Sequence, residues 1–183
     1  MSTASSDRPA PLARHMHHVA LEVADMDQSI EFYRKFMGMK LTERHAAGEN
    51  PAIPVELAFL RLHSQHHDLV LAHDPGRDYI ARDRKAGPVG IHHYAFECAD
   101  RESWLGLLDR ATEMGLKVVR GPVLHSASQP GGDGSWGENE SFYVLDPDGH
   151  RIELFCEMGF VDRQGQFETV RHEKIADSFA DEV

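Results

Sequence analysis

Cysteine is scarce in this chain of 183 residues, where Cys98 and Cys156 are the only two. Both sit in apolar, strand-like runs, where an inert buried thiol is the expectation, and such usage points to a cytoplasmic protein. Long apolar runs are absent too. Nothing approaches the ~20 consecutive apolar residues of a membrane span. The opening "MSTASSDRPAPLAR" lacks the apolar core of a signal peptide, so residues 1–14 read as a disordered arm. Positive charge is also in short supply. Nineteen Lys and Arg face 30 Asp and Glu, a formal net charge of −11, which argues against nucleic acid or an anionic membrane as partner. The length fits one domain or two small halves sharing a core.

What is present is a repeat. "HHVALEVAD" at 17–25 and "HHYAFECAD" at 92–100 share six of nine residues at a constant offset of 75. An amphipathic helix follows each copy. The first is "DQSIEFYRKFMG", with Ile30, Tyr33, Phe36 and Met37 at helical spacing; the second is "RESWLGLLDRATEMG", with Trp104, Leu107, Leu108 and Ala111. Asp25 or Asp27 and Asp100 suit the N-caps, Gly38 and Gly115 the C-caps. Strands are expected in "MKLTER", "VELAFLRL" and "HDLVLA", then in "LKVVRGPV", "SFYVLD" and "HRIELF", the last pair joined by the turn "DPDG". Each half therefore reads βαβββ. Because such a half leaves one sheet face bare, the two halves are expected to bury those faces against each other.

The paired βαβββ pattern, "HHVALEV…SIEFYRKFMGMKL" and the closing "DPDGHRIELF" resemble the vicinal oxygen chelate superfamily. Glyoxalase I, bleomycin-resistance proteins, methylmalonyl-CoA epimerase and type I extradiol ring-cleaving dioxygenases belong to it. The resemblance spans about residues 15–158, with module one near 15–85 and module two near 90–158. It implies an α+β fold whose paired modules form a curved, cup-like sheet with helices outside. The acidic, weakly periodic stretch 159–183 is expected to be a flexible tail or a segment draped over a second subunit.

Side chains alternate across a strand, so parity sorts them. Val19, Leu21 and Val23 share one face with the helices, leaving His18, Ala20 and Glu22 opposite. Tyr94, Phe96 and Cys98 repeat the pattern against His93, Ala95 and Glu97. In "HRIELF", Ile152 and Leu154 face the helices and Glu153 does not. On the resemblance, the non-helix face lines the cup and supplies the metal ligands, which makes His18, His93 and Glu153 the candidates. Two imidazoles and one carboxylate leave positions open and favour Fe(II), with Mn(II) second, over closed structural zinc. His15, His17, His66 and His92 read as bystanders.

Among the chemistries the superfamily hosts, glyoxalase I needs a carboxylate on the last strand of both halves. Aligning "HDLVL" with "HRIEL" puts Val70 where the second half has Glu153. The expectation is therefore an Fe(II)-dependent extradiol-type dioxygenase that cleaves a catechol-like aromatic diol with O2, acting as a homo-oligomer. Tyr143, ten residues before Glu153, matches that group's motif and would hydrogen-bond the substrate. His67, in "HHDLVL", would lie beside substrate and O2. The group's acid/base histidine is missing from "GDGSWGENES"; His125 takes the role if the insertion over 126–139 loops out and returns it to the pocket. That insertion reads either as a mobile lid or as an unstructured surface loop. The alternatives are a metal-dependent glyoxalase-like lyase or isomerase and a non-enzymatic small-molecule binding (resistance) protein.

Overall fold

A computed structural model describes residues 12–13, 15–80, 89–135, 137–161 and 167–168. Most of the expected arm and of the 159–183 tail lies outside these residues. Module one runs β1 (Val19–Glu22), α1 (Met26–Met37), β2 (Lys40–His45), β3 (Glu56–Arg61) and β4 (Leu69–His73). Module two repeats it with β5 (Tyr94–Glu97), α2 (Arg101–Glu113), β6 (Arg120–His125), β7 (Asn139–Leu145) and β8 (Arg151–Cys156). Two short strands, β9 (Phe160–Val161) and β10 (Phe167–Glu168), pair antiparallel within the expected tail. The sheets have the orders β1-β4-β3-β2 and β5-β8-β7-β6, with the first strand of each module parallel to the last. Among the described residues no helix is long and apolar enough to cross a membrane.

Local chemistry sets these boundaries. Asp25 caps α1 by accepting from the Gln28 amide at 2.9 Å, and Asp100 caps α2 by accepting from Ser103 at 2.7 Å. Gly38, at φ +71°, turns the chain out of α1 in a left-handed conformation that side chains resist. The expected alternation appears in the burial. Leu21, Val23, Leu69, Leu71, Ile152 and Leu154 are buried on the helix side, whereas Ala20, Glu22, Ala95 and Glu97 are exposed opposite. β6 begins four residues later than "LKVVRGPV" suggests, because Leu116 and Val118 pack against the core from an irregular approach.

The modules meet differently from the expectation that their bare faces cover each other. Their buried apolar residues form one continuous core on the helix side. There the Tyr33 hydroxyl donates to Asp146 at 2.8 Å and also bonds Tyr94, and Arg110 donates to the Phe36 carbonyl at 2.8 Å. The "DPDG" turn closes the junction, Asp148 accepting from the Ala24 amide at 2.9 Å and from Ser29 at 3.2 Å. Tyr33 and Tyr94 are buried and their hydroxyl pKa values pushed up, first by desolvation. No strand of one sheet pairs with the other among the described residues, and β1 and β5 remain sheet edges. On the faces away from the helices, Ala20, Glu22, Ala95 and Glu97 are exposed, while Val70, Ser141, Tyr143 and Glu153 are buried.

Candidate metal centre and acid–base chain

The two sheets carry the same rungs with different chemistry. In module one, Ala20, Val70 and Phe59 stand side by side across β1, β4 and β3. In module two the equivalent rung is Ala95, Glu153 and Tyr143 across β5, β8 and β7. Register thus reproduces the alignment of Val70 with Glu153. Partners in a ladder share a face, so these residues line the side of each sheet away from the helices. Module one offers an apolar floor beside a cavity of about 370 Å³ whose lining includes Leu57, Phe59 and His45. Glu56 is no substitute ligand, because Arg44 Nε donates to its carboxylate at 2.6 Å.

Module two offers polar groups in a row. Glu153 Oε2 lies 3.0 Å from His93 Nε2, and Glu153 Oε1 accepts from the Tyr143 hydroxyl at 2.7 Å and from Ser141 at 2.8 Å. The Tyr143 oxygen is 3.0 Å from His125 Nε2, while His125 Nδ1 lies 2.9 Å from both Asp133 Oδ2 and Ser135 Oγ. Asp133, His125, Tyr143, Glu153 and His93 therefore form one continuous chain. His125 and Glu153 are buried at 8% and 7% exposure, so neither side chain is a solvated surface group. The Tyr143 hydroxyl is pushed up to about 12, chiefly by desolvation and then by its bond to the Glu153 carboxylate. Its ring packs under Arg151, whose Cζ is 4.1 Å from the ring centroid. Asp133 is held below the usual carboxylate range, first by hydrogen bonds from Ser135 and then by His125.

His125 reaches this row because it ends β6 opposite Asn139 of β7. The insertion leaves the strand only after it. Within the loop the buried Glu138 accepts from Ser126 at 2.6 Å, Gln129 at 3.1 Å and Ser128 at 3.2 Å, and the Asp133 amide donates to the Leu124 carbonyl at 2.9 Å. The loop is thus tied on both sides, unlike an unstructured surface loop. Sequence reading missed Asp133, Ser135, Ser141 and Arg151. Ser141 was within reach, since it lies two residues before Tyr143 and shares its face by parity.

In module one, His18 lies against His67, ring centroids 4.6 Å apart, and His17 lies 5.2 Å from His67. The His67 imidazole is shifted down by desolvation first, then by repulsion from His18, His66 and His17. The ligand atoms of His17, His18 and His67 all fall within 4.8 Å of one another, whereas His18, His93 and Glu153 form no such group within one chain. A carboxylate oxygen and an imidazole nitrogen directed at one another suit a divalent cation. His93 and Glu153 meet that description. Asp146, Asp148 and His150 also cluster. Their carboxylates are taken up by Tyr33, Ala24, Ser29 and the turn's own amides, with His150 Nδ1 2.9 Å from Asp146, so the cluster holds the module junction. Cys98 and Cys156 are buried thiols pushed up to about 12, chiefly by desolvation.

Residues 15–154 match the Glyoxalase/Bleomycin resistance protein/Dioxygenase superfamily. The glutathione transferase FosA of Serratia marcescens is 26% identical over 147 residues, covering 78% of this chain and 81% of that protein. A probable lactoylglutathione lyase of Synechocystis sp. is 30% identical over 141 residues, 75% of this chain and 91% of its own length. A solved structure of a mutant of FosX from Listeria monocytogenes, complexed with Mn(II) and 1S,2S-dihydroxypropylphosphonic acid, superposes with a TM-score of 0.52 at 16% identity. It covers 78% of this chain and 92% of that one. That last likeness concerns the fold.

Proposed function

Because the chain belongs to the Glyoxalase/Bleomycin resistance protein/Dioxygenase superfamily, we propose that it is a divalent-metal-dependent enzyme. It would bind a small substrate through two neighbouring oxygens and move a proton on it through His125. The chain of contacts Asp133–His125–Tyr143–Glu153–His93 carries this reading. His93 and Glu153 would hold the metal with His18 of a second copy of the chain. Module one of each copy, with its free β1 edge, then faces module two of the other, and the protein acts as a homo-oligomer. When bound, the metal supplies Lewis acidity that lowers the pKa of the substrate oxygens. Ser141 and Tyr143 hold the Glu153 carboxylate in place. Asp133 and Ser135 fix the His125 ring at Nδ1, which leaves Nε2 to give or take the proton beside the Tyr143 oxygen. The apolar floor of Val70, Ala20 and Phe59 would accept the substrate's carbon side.

A glyoxalase-like lyase, isomerase or adduct-forming reaction is the first reading, supported by the names of the relatives, a lactoylglutathione lyase and a glutathione transferase. On this reading Mn(II), the ion in the FosX complex, ranks ahead of Fe(II). Ring cleavage of a catechol-like aromatic diol with O2 at Fe(II) is the second reading. One observation favours it: Val70 occupies the rung where a four-ligand glyoxalase site requires a carboxylate. Metal-depleted protein reloaded with Mn(II), Ni(II) or Zn(II) and assayed for S-lactoylglutathione formation tests the first. Protein loaded anaerobically with Fe(II) and assayed for oxygen uptake over a catechol panel tests the second. Turnover in either arm that His125→Gln abolishes supports an enzyme. Metal-independent ligand binding without turnover in both arms, indifferent to His93→Ala, would leave a binding protein instead.

A further inference from the structure

We propose that His17, His18 and His67 form a divalent-cation site belonging to module one alone, sharing only His18 with the centre proposed above. Its ligand atoms already lie within 4.8 Å of one another. Three nitrogens bound to one ion at ~2.0–2.1 Å sit about 3.4 Å apart in a tetrahedral arrangement, so a pair at the outer limit closes by about 1.4 Å, a shift that side-chain rotation supplies at two exposed residues and one half-buried one. Backbone pairing makes the arrangement. The parallel register Val19↔Leu69, with the Val19 amide donating to the Asp68 carbonyl at 3.3 Å, brings the residues leading into β1 alongside those leading into β4.

The chemistry of the cluster points to its ligand. His17 Nδ1 and His18 Nδ1 approach to 3.1 Å, where only one of the two can carry the proton; the other presents its lone pair. A cation held between them replaces that shared proton. No carboxylate joins the set. The adjacent Asp68 is already used, one oxygen accepting from the Leu62 amide at 2.7 Å and the other from Gln65. An all-imidazole site takes Cu(II), Ni(II), Zn(II) or Co(II), whereas a carboxylate-bearing one also takes Mn(II). Because both draw on His18, the two sites are alternatives, and they separate by metal.

The test uses the full chain carrying His93→Ala and Glu153→Gln, stripped of metal and titrated with Cu(II). Electron paramagnetic resonance counts the bound nitrogens. One Cu(II) per chain with three nitrogen ligands is expected. Adding His17→Ala and His67→Ala should weaken that binding by more than ~100-fold, beyond what is lost when residues that merely orient ligands are replaced. The histidines are outside the core and Glu153→Gln keeps the volume of the buried side chain, so the circular dichroism of every variant should match the parent. Absence of stoichiometric Cu(II) in the first variant, or affinity unchanged by the added substitutions, would overturn the proposal. Mn(II) titration of the unaltered chain reports on the His93–Glu153 centre, so failure there bears on the proposed function and leaves the Cu(II) result to decide this site.

Discussion

Replacing Tyr143 with Phe removes one oxygen from the centre of the polar chain and nothing else. The ring stays under Arg151 and against His93, so packing is retained. Two contacts go: the donation to Glu153 Oε1 at 2.7 Å and the approach of His125 Nε2 at 3.0 Å. A hydrogen bond to a charged group contributes about 1.5–3 kcal/mol, and each 1.36 kcal/mol is a factor of ten. Ser141 still donates to the same carboxylate oxygen at 2.8 Å, which limits how far Glu153 can swing. Loss of a residue that orients a metal ligand costs about 10- to 100-fold in affinity or activity, and the two estimates overlap. Tyr143→Phe should therefore weaken Mn(II) binding by about 10- to 100-fold and slow turnover by a similar or larger factor. Isothermal titration of metal-depleted protein and steady-state assays check both. A folded Tyr143→Phe protein with unaltered Mn(II) affinity and unaltered turnover would refute the chain as a functional unit.

Other expected outcomes follow from the same geometry. Val70→Glu restores a carboxylate opposite Ala20, and should tighten metal binding while lowering turnover by filling an exchangeable position; unchanged affinity by titration would show that Val70 lies away from the metal. Leu154 is fully buried and pairs with Phe142 across β7 and β8, so Leu154→Ala should cost about 2–5 kcal/mol in denaturant unfolding. Glu138 sits below the usual carboxylate range, first through its bond from Ser126. Its contribution is thus fully present above the unfolded value near pH ~4.3 and is lost as pH falls through the lower folded value. Amide protection over residues 126–138 should drop on that acidification in the parent and respond less in Glu138→Gln; equal acid responses would exclude Glu138 as the cause.

The fold was largely legible because its signals are local. Caps at Asp25 and Asp100 and strict alternation in "HHVALEV" each act within a few residues, and the repeat doubled them; Gly38 caps α1 as expected, whereas Met114 caps α2 and Gly115 follows it at φ +66°. The way the modules meet was not legible. It depends on Tyr33, Tyr94, Asp146 and Asp148, which are far apart in sequence and meet only once both helices are packed. The same distinction runs through the site. Parity gave the face of Glu153, and the family resemblance, through a tyrosine ten residues earlier, gave Tyr143. Asp133 lies in a glycine-rich loop with no period to read, so its place beside His125 emerges only from the way the loop folds back on β6.

The divergence of the two rungs accounts for the asymmetry between modules. Ala20 and Ala95 occupy equivalent places and leave room above the sheet, while Phe59 and Val70 stand where module two has Tyr143 and Glu153. A buried carboxylate needs donors, and module two supplies them from Tyr143 and Ser141. In module one the corresponding ring is a phenylalanine without a hydroxyl to donate. A glutamate at position 70 would lack the support that holds Glu153, and an apolar side chain there leaves no buried charge unpaired. On the glyoxalase-like reading, the apolar side chain at 70 and the ring without a hydroxyl at 59 therefore go together. Val70→Glu paired with Phe59→Tyr should hold metal more tightly than Val70→Glu alone, by about 10-fold or more if the new hydroxyl orients the new carboxylate. Equal affinity in the single and double variants would break the link between the two rungs.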